Sequence, residues 1–237
     1  MEAAAPADPI AALRRLDSCS VANAIEATGV RLRNEGYADA TVKCMMPSLT
    51  PLVGHAFTLA IRTTRPIVRE VHHVDHVAWA EQLAKVPAPR ILVVQDLESG
   101  PGTGAFMGEV HANIYRALGC AGVITDGAVR DVAAVYRLGF PVFSRYVSVS
   151  HAYVHLVAAG EPITVGGLTV RTGDLLHGDR HGVVSIPLDV APEIPRIALR
   201  QRMNERDIID LCQSGDFSVE RLERLLQRIQ SAHPLPE

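Results

Sequence analysis

Lysine is nearly absent from this chain. Of 23 basic residues among 237, only Lys43 and Lys85 are lysines. An imine-forming enzyme needs a lysine desolvated enough to lose its proton. Lys85, in AEQLAKVPAPR, reads as a solvated cation near the end of a helix, and Lys43 lies in a polar connecting stretch, so Schiff-base catalysis is not expected. The arginine that replaces lysine suits carboxylate recognition, because a guanidinium fork matches a carboxylate in a bidentate way. High-GC codon usage accounts for most of that excess, so it does not by itself name a ligand. Also missing is any apolar run near the roughly 20 residues that span a bilayer. The opening MEAAAPADPIAALRRLDS lacks the basic-then-apolar order of a signal peptide. The four cysteines, Cys19, Cys44, Cys120 and Cys212, form no CxxC pair. That argues against a zinc knuckle or a disulfide framework and for a reducing cytoplasm. The net charge of −3 gives no bulk electrostatic case for nucleic acid.

The composition that remains, 48% hydrophobic and 21% charged, is that of an ordinary globular protein with one sizeable core. No internal repeat or low-complexity linker divides it, so residues 1–237 read as a single domain. Residues 8–28 read as a helix pair or one interrupted helix, with Ser18 or Ser20 capping the second segment and Gly29 ending it. HAFTLAIRTT alternates as a strand, residues 67–86 read as a helix, and ILVVQD as a buried strand. A glycine-rich loop, SGPGTGAFMG, leads into a helix over 109–118. AGVITDG is a second buried strand, 131–138 a helix and PVFSRY a strand. Residues 164–186 hold two or three short strands, and helices over 190–211 and 218–231 close the chain. Alternating strands and helices in the middle predict an α/β core, and the β-rich segment after it predicts a mixed sheet.

Two segments could carry chemistry. In Gly108-Glu109-Val110-His111, a strand and a glycine loop deliver the chain to a helix start, whose free N–H groups and dipole favour an anion. A carboxylate fits, whereas the lysine and Ser/Thr of a P-loop are missing. The same segment also reads as an ordinary flexible loop. Asp126-Gly127-Ala128-Val129-Arg130-Asp131 follows a buried strand, at the edge where open α/β sheets place ligands. Arg130 beside Asp131 supplies a carboxylate clamp and a hard-cation ligand together, and Mg²⁺ typically takes one or two protein carboxylates and keeps several waters. Read alone, the pair is equally a helix-start acid beside a surface cation. His72, His73 and His76 with Asp75 resemble a metal cluster but fit a polar helix surface or a subunit contact better. His177 and His181 read as residues of a turn between strands, where they could border a site but more readily cap the turn.

Glu109 is followed by twenty residues and then by Arg130-Asp131. Together with Gly-Val-Ile-Thr-Asp-Gly-Ala-Val-Arg-Asp, this resembles the class II pyruvate aldolases typified by 4-hydroxy-4-methyl-2-oxoglutarate aldolase. That family also includes the regulator of ribonuclease activity A and many proteins labelled demethylmenaquinone methyltransferase. The resemblance runs over about residues 15–190. VANAIEATG is similar to the family's N-terminal helix and TVRTGDLLHGDRHGVVSIP to its late strand-turn-strand. It implies an α/β fold, an αββα sandwich with a mixed central sheet of the swivelling, phosphohistidine-domain-like kind, with terminal helices and a C-terminal helical extension over about 190–233. It implies a homotrimer or homohexamer with the site at the subunit interface. Asp131 would ligate Mg²⁺ or Mn²⁺ mostly through water, and Arg130 would hold the keto oxygen and carboxylate. The Gly108, Glu109, Val110 and His111 backbone would bind the carboxylate, and Glu109 would orient water. Glu205 of a neighbouring subunit and Asp126 are candidates to support the site from behind. The chain departs from the family in a longer, glycine-richer loop between Asp96 and Gly108 and in a longer tail beyond about 205.

The expected activity is metal-dependent cleavage of a small 2-oxo acid to pyruvate through a metal-stabilised enolate, either retro-aldol or oxaloacetate decarboxylation. A binding regulator of a ribonuclease complex and a lyase for another hydroxy or oxo acid are the alternatives. Neither a membrane nor a nucleic acid is an expected partner.

Overall fold

A computed structural model describes residues 8–66, 76–98, 100 and 102–232. The chain order is α1 (Pro9–Leu13), α2 (Ser18–Glu26), β1 (Lys43–Cys44), β2 (Leu52–Arg62), α3 (His76–Ala84), β3 (Arg90–Asp96), β4 (Ala105–Met107), α4 (Glu109–Ala117), β5 (Cys120–Thr125) and β6 (Ala128–Val129). It continues with α5 (Val132–Arg137), β7 (Val142–Ser144), β8 (Tyr146–Val147), β9 (His155–Ala159), β10 (Ile163–Val165), β11 (Leu168–Val170), β12 (Leu175–Asp179), β13 (Gly182–Ile186), α6 (Ile194–Gln213) and α7 (Val219–Ala232). The chain is mixed α/β, as expected. His72, His73 and Asp75 of the candidate histidine cluster lie outside the described residues, and His76 begins α3.

The main sheet runs β1-β7-β5-β3-β2-β12-β13. β2, β3, β5 and β7 are parallel neighbours, and β12 lies antiparallel to β2. The parallel strands are buried on both faces, which is why ILVVQD and AGVIT are continuous apolar runs rather than alternating ones. β2 is long enough to share one edge between two partners: β12 pairs its first half and β9 its last residues. Three apolar clusters hold the layers together. One packs α3, α4 and α5 on the sheet, one packs the β10–β11 hairpin, and one packs α1, α2 and α6.

Apolar periodicity does not reveal the second, smaller sheet. β4, β6 and β8 are parallel strands of two or three residues, in the order β4-β6-β8. PVFSRY is therefore two strands, not one. Arg145 separates them, and Ser144 and Tyr146 pair in different sheets. Elements this short leave no period to read.

Two local expectations are corrected. Asp17, rather than Ser18 or Ser20, caps α2, accepting from the Ser20 N–H at 2.7 Å. Burial opposes the Asp17 charge, but the Ser20 donors and the Arg202 guanidinium outweigh it and hold the carboxyl at about 2. An ionised carboxylate is the stronger acceptor, so it wins the cap.

His177 is not a turn residue. It lies within β12 and is fully buried. Its Nε2 faces the carbonyls of Leu13 (3.3 Å) and Leu16 (3.2 Å), and its Nδ1 faces the Ser18 hydroxyl at 3.0 Å. Carbonyls only accept, so Nε2 carries the proton and Nδ1 accepts from Ser18. Burial pushes the imidazole's pKa down, in keeping with a neutral ring. This ring ties β12 to the α1–α2 corner. His177→Ala is expected to cost roughly 2–4 kcal/mol, through the lost bonds and the cavity left behind. Urea unfolding followed by circular dichroism measures it.

Candidate active site

β4 and β6 settle how Glu109 meets Asp131. They are parallel, and Met107 pairs with Val129. The residues that follow each strand, Gly108-Glu109 and Arg130-Asp131, therefore emerge side by side. The Arg130 N–H donates to the Met107 carbonyl at 2.8 Å and locks that register. Twenty intervening residues are closed by two short strands.

Asp131 then turns the chain into α5. It sits at the helix N-cap with φ 54° and ψ 32°, a left-handed conformation that few non-glycine residues adopt. Aspartate tolerates it better than most, but such strain persists only where surrounding contacts impose it. Here the contact is with α4: Asp131 Oδ2 accepts from the Glu109 N–H at 3.0 Å. The Arg130 Nε lies 3.8 Å from the same oxygen, an ion pair rather than a tight hydrogen bond. Both side chains remain partly open, 38% for Arg130 and 45% for Asp131. A ligand arriving from solvent therefore meets a guanidinium and a carboxylate on one ledge.

Gly108 makes this approach possible. A β-carbon there would lie 2.3 Å from Asp131 Oδ2 and 3.1 Å from Arg130 Cγ. Gly108 is also the N-cap of α4 and has no side chain with which to cap it. The first-turn N–H groups of a helix have no acceptor inside the helix. Asp131 satisfies that of Glu109, and a carboxylate is a fitting partner for the turn. The Glu109 and Val110 side chains are exposed. The His111 ring turns the other way, stacking on Phe106 at 6.3 Å and meeting Tyr115 at 5.9 Å.

A hard divalent cation fits this ledge only loosely. Glu109 and Arg130 both meet Asp131 through Oδ2, which leaves Oδ1 to a ligand, and among the described residues no group of three His, Cys, Asp or Glu gathers to hold a metal. One carboxylate and several waters is the pattern of Mg²⁺, not of a closed zinc site.

The remaining sequence candidates lie elsewhere. Asp126 is buried, and its Oδ1 accepts from the Asp96 N–H at 2.8 Å, not from Arg130 or Asp131. Burial pushes its carboxyl up to about 6, against the pull of that N–H and of Arg145. Glu205 is exposed on α6, which packs against α2, α1 and α7 rather than against α4 or α5. Two residues went unnoticed in the sequence. Asp96 is buried, with its Oδ2 accepting from the Thr63 hydroxyl at 3.2 Å. Glu98 anchors the start of the glycine loop, accepting from the Thr64 hydroxyl and N–H, each at 2.7 Å, and from the Thr63 N–H at 2.9 Å, bonds that hold its carboxyl at about 2. The signal was there in Asp96-Leu97-Glu98, acids placed just where a buried strand ends.

The Asp126 carboxyl gives a signed pH prediction. Its folded pKa of about 6 lies above the ordinary 3.8, so folding favours the protonated form. That contribution is full below about pH 4 and is lost as pH rises toward 6. Asp126→Asn keeps an oxygen for the Asp96 N–H and removes the buried charge. It is expected to raise stability at pH 8 by about 1–3 kcal/mol and to change little at pH 4. Urea midpoints of both proteins at the two pH values measure this.

The sequence model of the RraA-like family, described as Aldolase/RraA, matches residues 18–185. The chain belongs to the RraA-like family. Among curated relatives, a Halalkalibacterium halodurans protein named "Putative 4-hydroxy-4-methyl-2-oxoglutarate aldolase" is 35% identical over 117 residues, 47% of this chain and 55% of that one. Protein DlpA of Legionella pneumophila is 23% identical over 201 residues, covering 84% of this chain and 31% of its own length. The chain thus spans between about a third and just over half of these relatives. Among solved structures, an uncharacterized protein from Pseudomonas syringae pv. tomato is similar at a TM-score of 0.71 and 25% identity, covering 96% of this chain and 97% of that one. Streptomyces coelicolor RraAS2, described as an unusual member of the RNase ES inhibitor RraA protein family, shares the RraA-like fold at a TM-score of 0.67 and 23% identity, over 86% of this chain and 97% of its own. The family match contains the whole Gly108–Asp131 ledge. No helix among the described residues is long and apolar enough to cross a membrane.

Proposed function

We propose that this RraA-like chain is a divalent-metal-dependent carbon–carbon lyase. It releases pyruvate from a small 2-oxo acid, by retro-aldol cleavage of substrates of the 4-hydroxy-4-methyl-2-oxoglutarate type or by decarboxylation of oxaloacetate. One observation carries the reading: a strained Asp131, pinned to the first turn of α4, stands beside a half-open arginine. The relative named as an aldolase supports the reaction class.

In this reading the oxo acid's carboxylate sits on the first-turn N–H groups of α4, between Gly108 and His111. Arg130 grips the keto oxygen and the same carboxylate. As the C3–C4 bond breaks, its electron pair moves toward C3 and the keto oxygen, where the guanidinium meets the growing negative charge. A water held by Glu109 takes the C4 hydroxyl proton in the retro-aldol case and returns a proton to C3. Carbon dioxide leaves without that first proton transfer. Asp131, with water completing the shell, is the residue to hold Mg²⁺ or Mn²⁺, which would polarise the keto group as a Lewis acid.

The chain folds as one domain in this reading, works in the cytoplasm, and assembles as a trimer or hexamer that brings a neighbour's acid, with Glu205 as the candidate, to the ledge. A panel of 2-oxo acids coupled to lactate dehydrogenase tests the reading. Pyruvate should appear from oxaloacetate or from a 4-hydroxy-2-oxo acid, and EDTA should abolish its release. Turnover indifferent to EDTA, or no pyruvate from any member, would contradict it.

A further inference from the structure

Beside the ledge lies a cavity of about 430 Å³, and the reaction described above does not use it. Its walls include Leu59, Ile61, Trp79, Phe106, Tyr115 and Leu156, with His111 among the lining residues. The volume is in the range of small-molecule sites. Pyruvate or oxaloacetate, being short and polar, has no need of such a chamber.

Two features mark it as a binding pocket. First, it is close to the chemistry. Phe106 lines it, and Gly108, two residues on, touches the Asp131 carboxylate. At roughly 3.3 Å per residue in extended chain, the wall and the carboxylate contact are about 7 Å apart along the backbone. His111 spans the same gap from the other side, since its ring stacks on Phe106 while its backbone belongs to the first turn of α4. Second, one residue of the cavity wall carries an unanswered polar group. Trp79 lines the cavity, is only 7% exposed, and its indole N–H is buried with no acceptor among the described residues. A buried donor left unpaired is costly, and native structures keep few of them. Phe57 (6.4 Å) and Tyr115 (6.2 Å) hold the indole in place between them.

We propose that this cavity receives the apolar end of the substrate, which is then a 2-oxo acid bearing an aliphatic or aryl group beyond the bond that breaks, with an oxygen for the Trp79 N–H. This rests on the lyase reading for the acid end and adds the substrate's other end. Cleavage of a 4-hydroxy-2-oxo acid of this kind breaks C3–C4. The electron pair stays with C3, the C4 hydroxyl becomes a carbonyl as its proton passes to water, the water returns a proton to C3, and pyruvate and an apolar aldehyde or ketone leave.

Trp79 is the chain's one tryptophan, so its fluorescence reports on the cavity without any turnover. The probe is 4-methyl-2-oxopentanoate, which has an apolar end, no C4 hydroxyl to cleave and no oxygen there for the Trp79 N–H, so that it tests the apolar contact alone, and pyruvate is the control. A saturable fluorescence change is expected with the probe, at an affinity on the order of tenfold tighter than for pyruvate. Filling the cavity with Ala80→Phe, or with Ile114→Phe should the first not fold, is expected to bring the probe down to the pyruvate level. Equal affinity for both acids, or a probe affinity unmoved by a folded filling variant, overturns the proposal. So does a change that tracks protein concentration instead of probe, because a second copy then covers the cavity. Pyruvate release by the wild-type protein is scored separately. If it persists while the probe does not bind, the lyase reading stands and the pocket falls. If the probe binds and no oxo acid is turned over, the pocket stands and the lyase reading falls.

Discussion

Asp131→Asn should lose roughly 10³-fold in kcat/KM while the protein remains folded. The reason lies in what the substitution keeps. Asparagine is among the residues that tolerate the left-handed backbone found at position 131, so the turn into α5 survives. Its side-chain oxygen still accepts from the Glu109 N–H, now held at 3.0 Å by Oδ2. What disappears is the negative charge, and with it the hold on a hard cation. Asp131→Ala is the less informative change, because it removes the charge and the bond to α4 together. Steady-state kinetics beside a thermal melt separates the two effects. Unchanged kinetics in a folded Asp131→Asn protein would remove Asp131 from the chemistry.

Gly108→Ala should be nearly as damaging, for a steric reason. The Gly108 backbone, φ −136° and ψ −160°, is extended and open to alanine. The backbone therefore gives alanine no cause for strain. The new methyl group would instead stand 2.3 Å from Asp131 Oδ2, and the carboxylate would have to leave the Glu109 N–H. Displacing a reacting group by about 1 Å commonly costs on the order of 10²-fold, which is the expected fall in kcat/KM. Urea unfolding should shift by no more than about 1–2 kcal/mol, because the carboxylate is half exposed and can move into solvent. A Gly108→Ala protein with ordinary activity would mean that the close packing of position 108 on Asp131 has no catalytic purpose.

The long elements were legible because their burial is written into composition. β3 and β5 are apolar runs that end at acids, and α2, α4 and α6 show helical spacing. The small sheet was not, although it builds the ledge. β4 lies inside a glycine loop and β6 is two residues long, so neither shows a period, and the pairing of Met107 with Val129 is a tertiary fact. The spacing of Glu109 and Arg130-Asp131 was therefore meaningful only through likeness to a family. Glycine at 108 looked like flexibility, whereas the carboxylate 2.3 Å from its missing β-carbon makes it a close-approach site. His177 was misplaced because LLHGDRHG looks like a turn, yet five register pairs carry β12 through Asp179. Asp126 was placed behind the site from its position alone. Its partner, the Asp96 backbone, belongs to a neighbouring strand that the sequence could not align with it. Glu205 shows where a single chain stops being informative, since the helix that carries it packs on α1, α2 and α7.

The most direct test of the lyase reading is the rate of pyruvate formation from oxaloacetate by metal-stripped protein, before and after Mg²⁺ or Mn²⁺ is restored, for the wild type and Asp131→Asn. Each rate is corrected for the decarboxylation that the metal alone causes in a protein-free blank. The account predicts no enzymatic rate without metal, recovery on addition of metal in the wild type, and no recovery in the variant. Equal rates with and without metal, or equal recovery in both proteins, would contradict it.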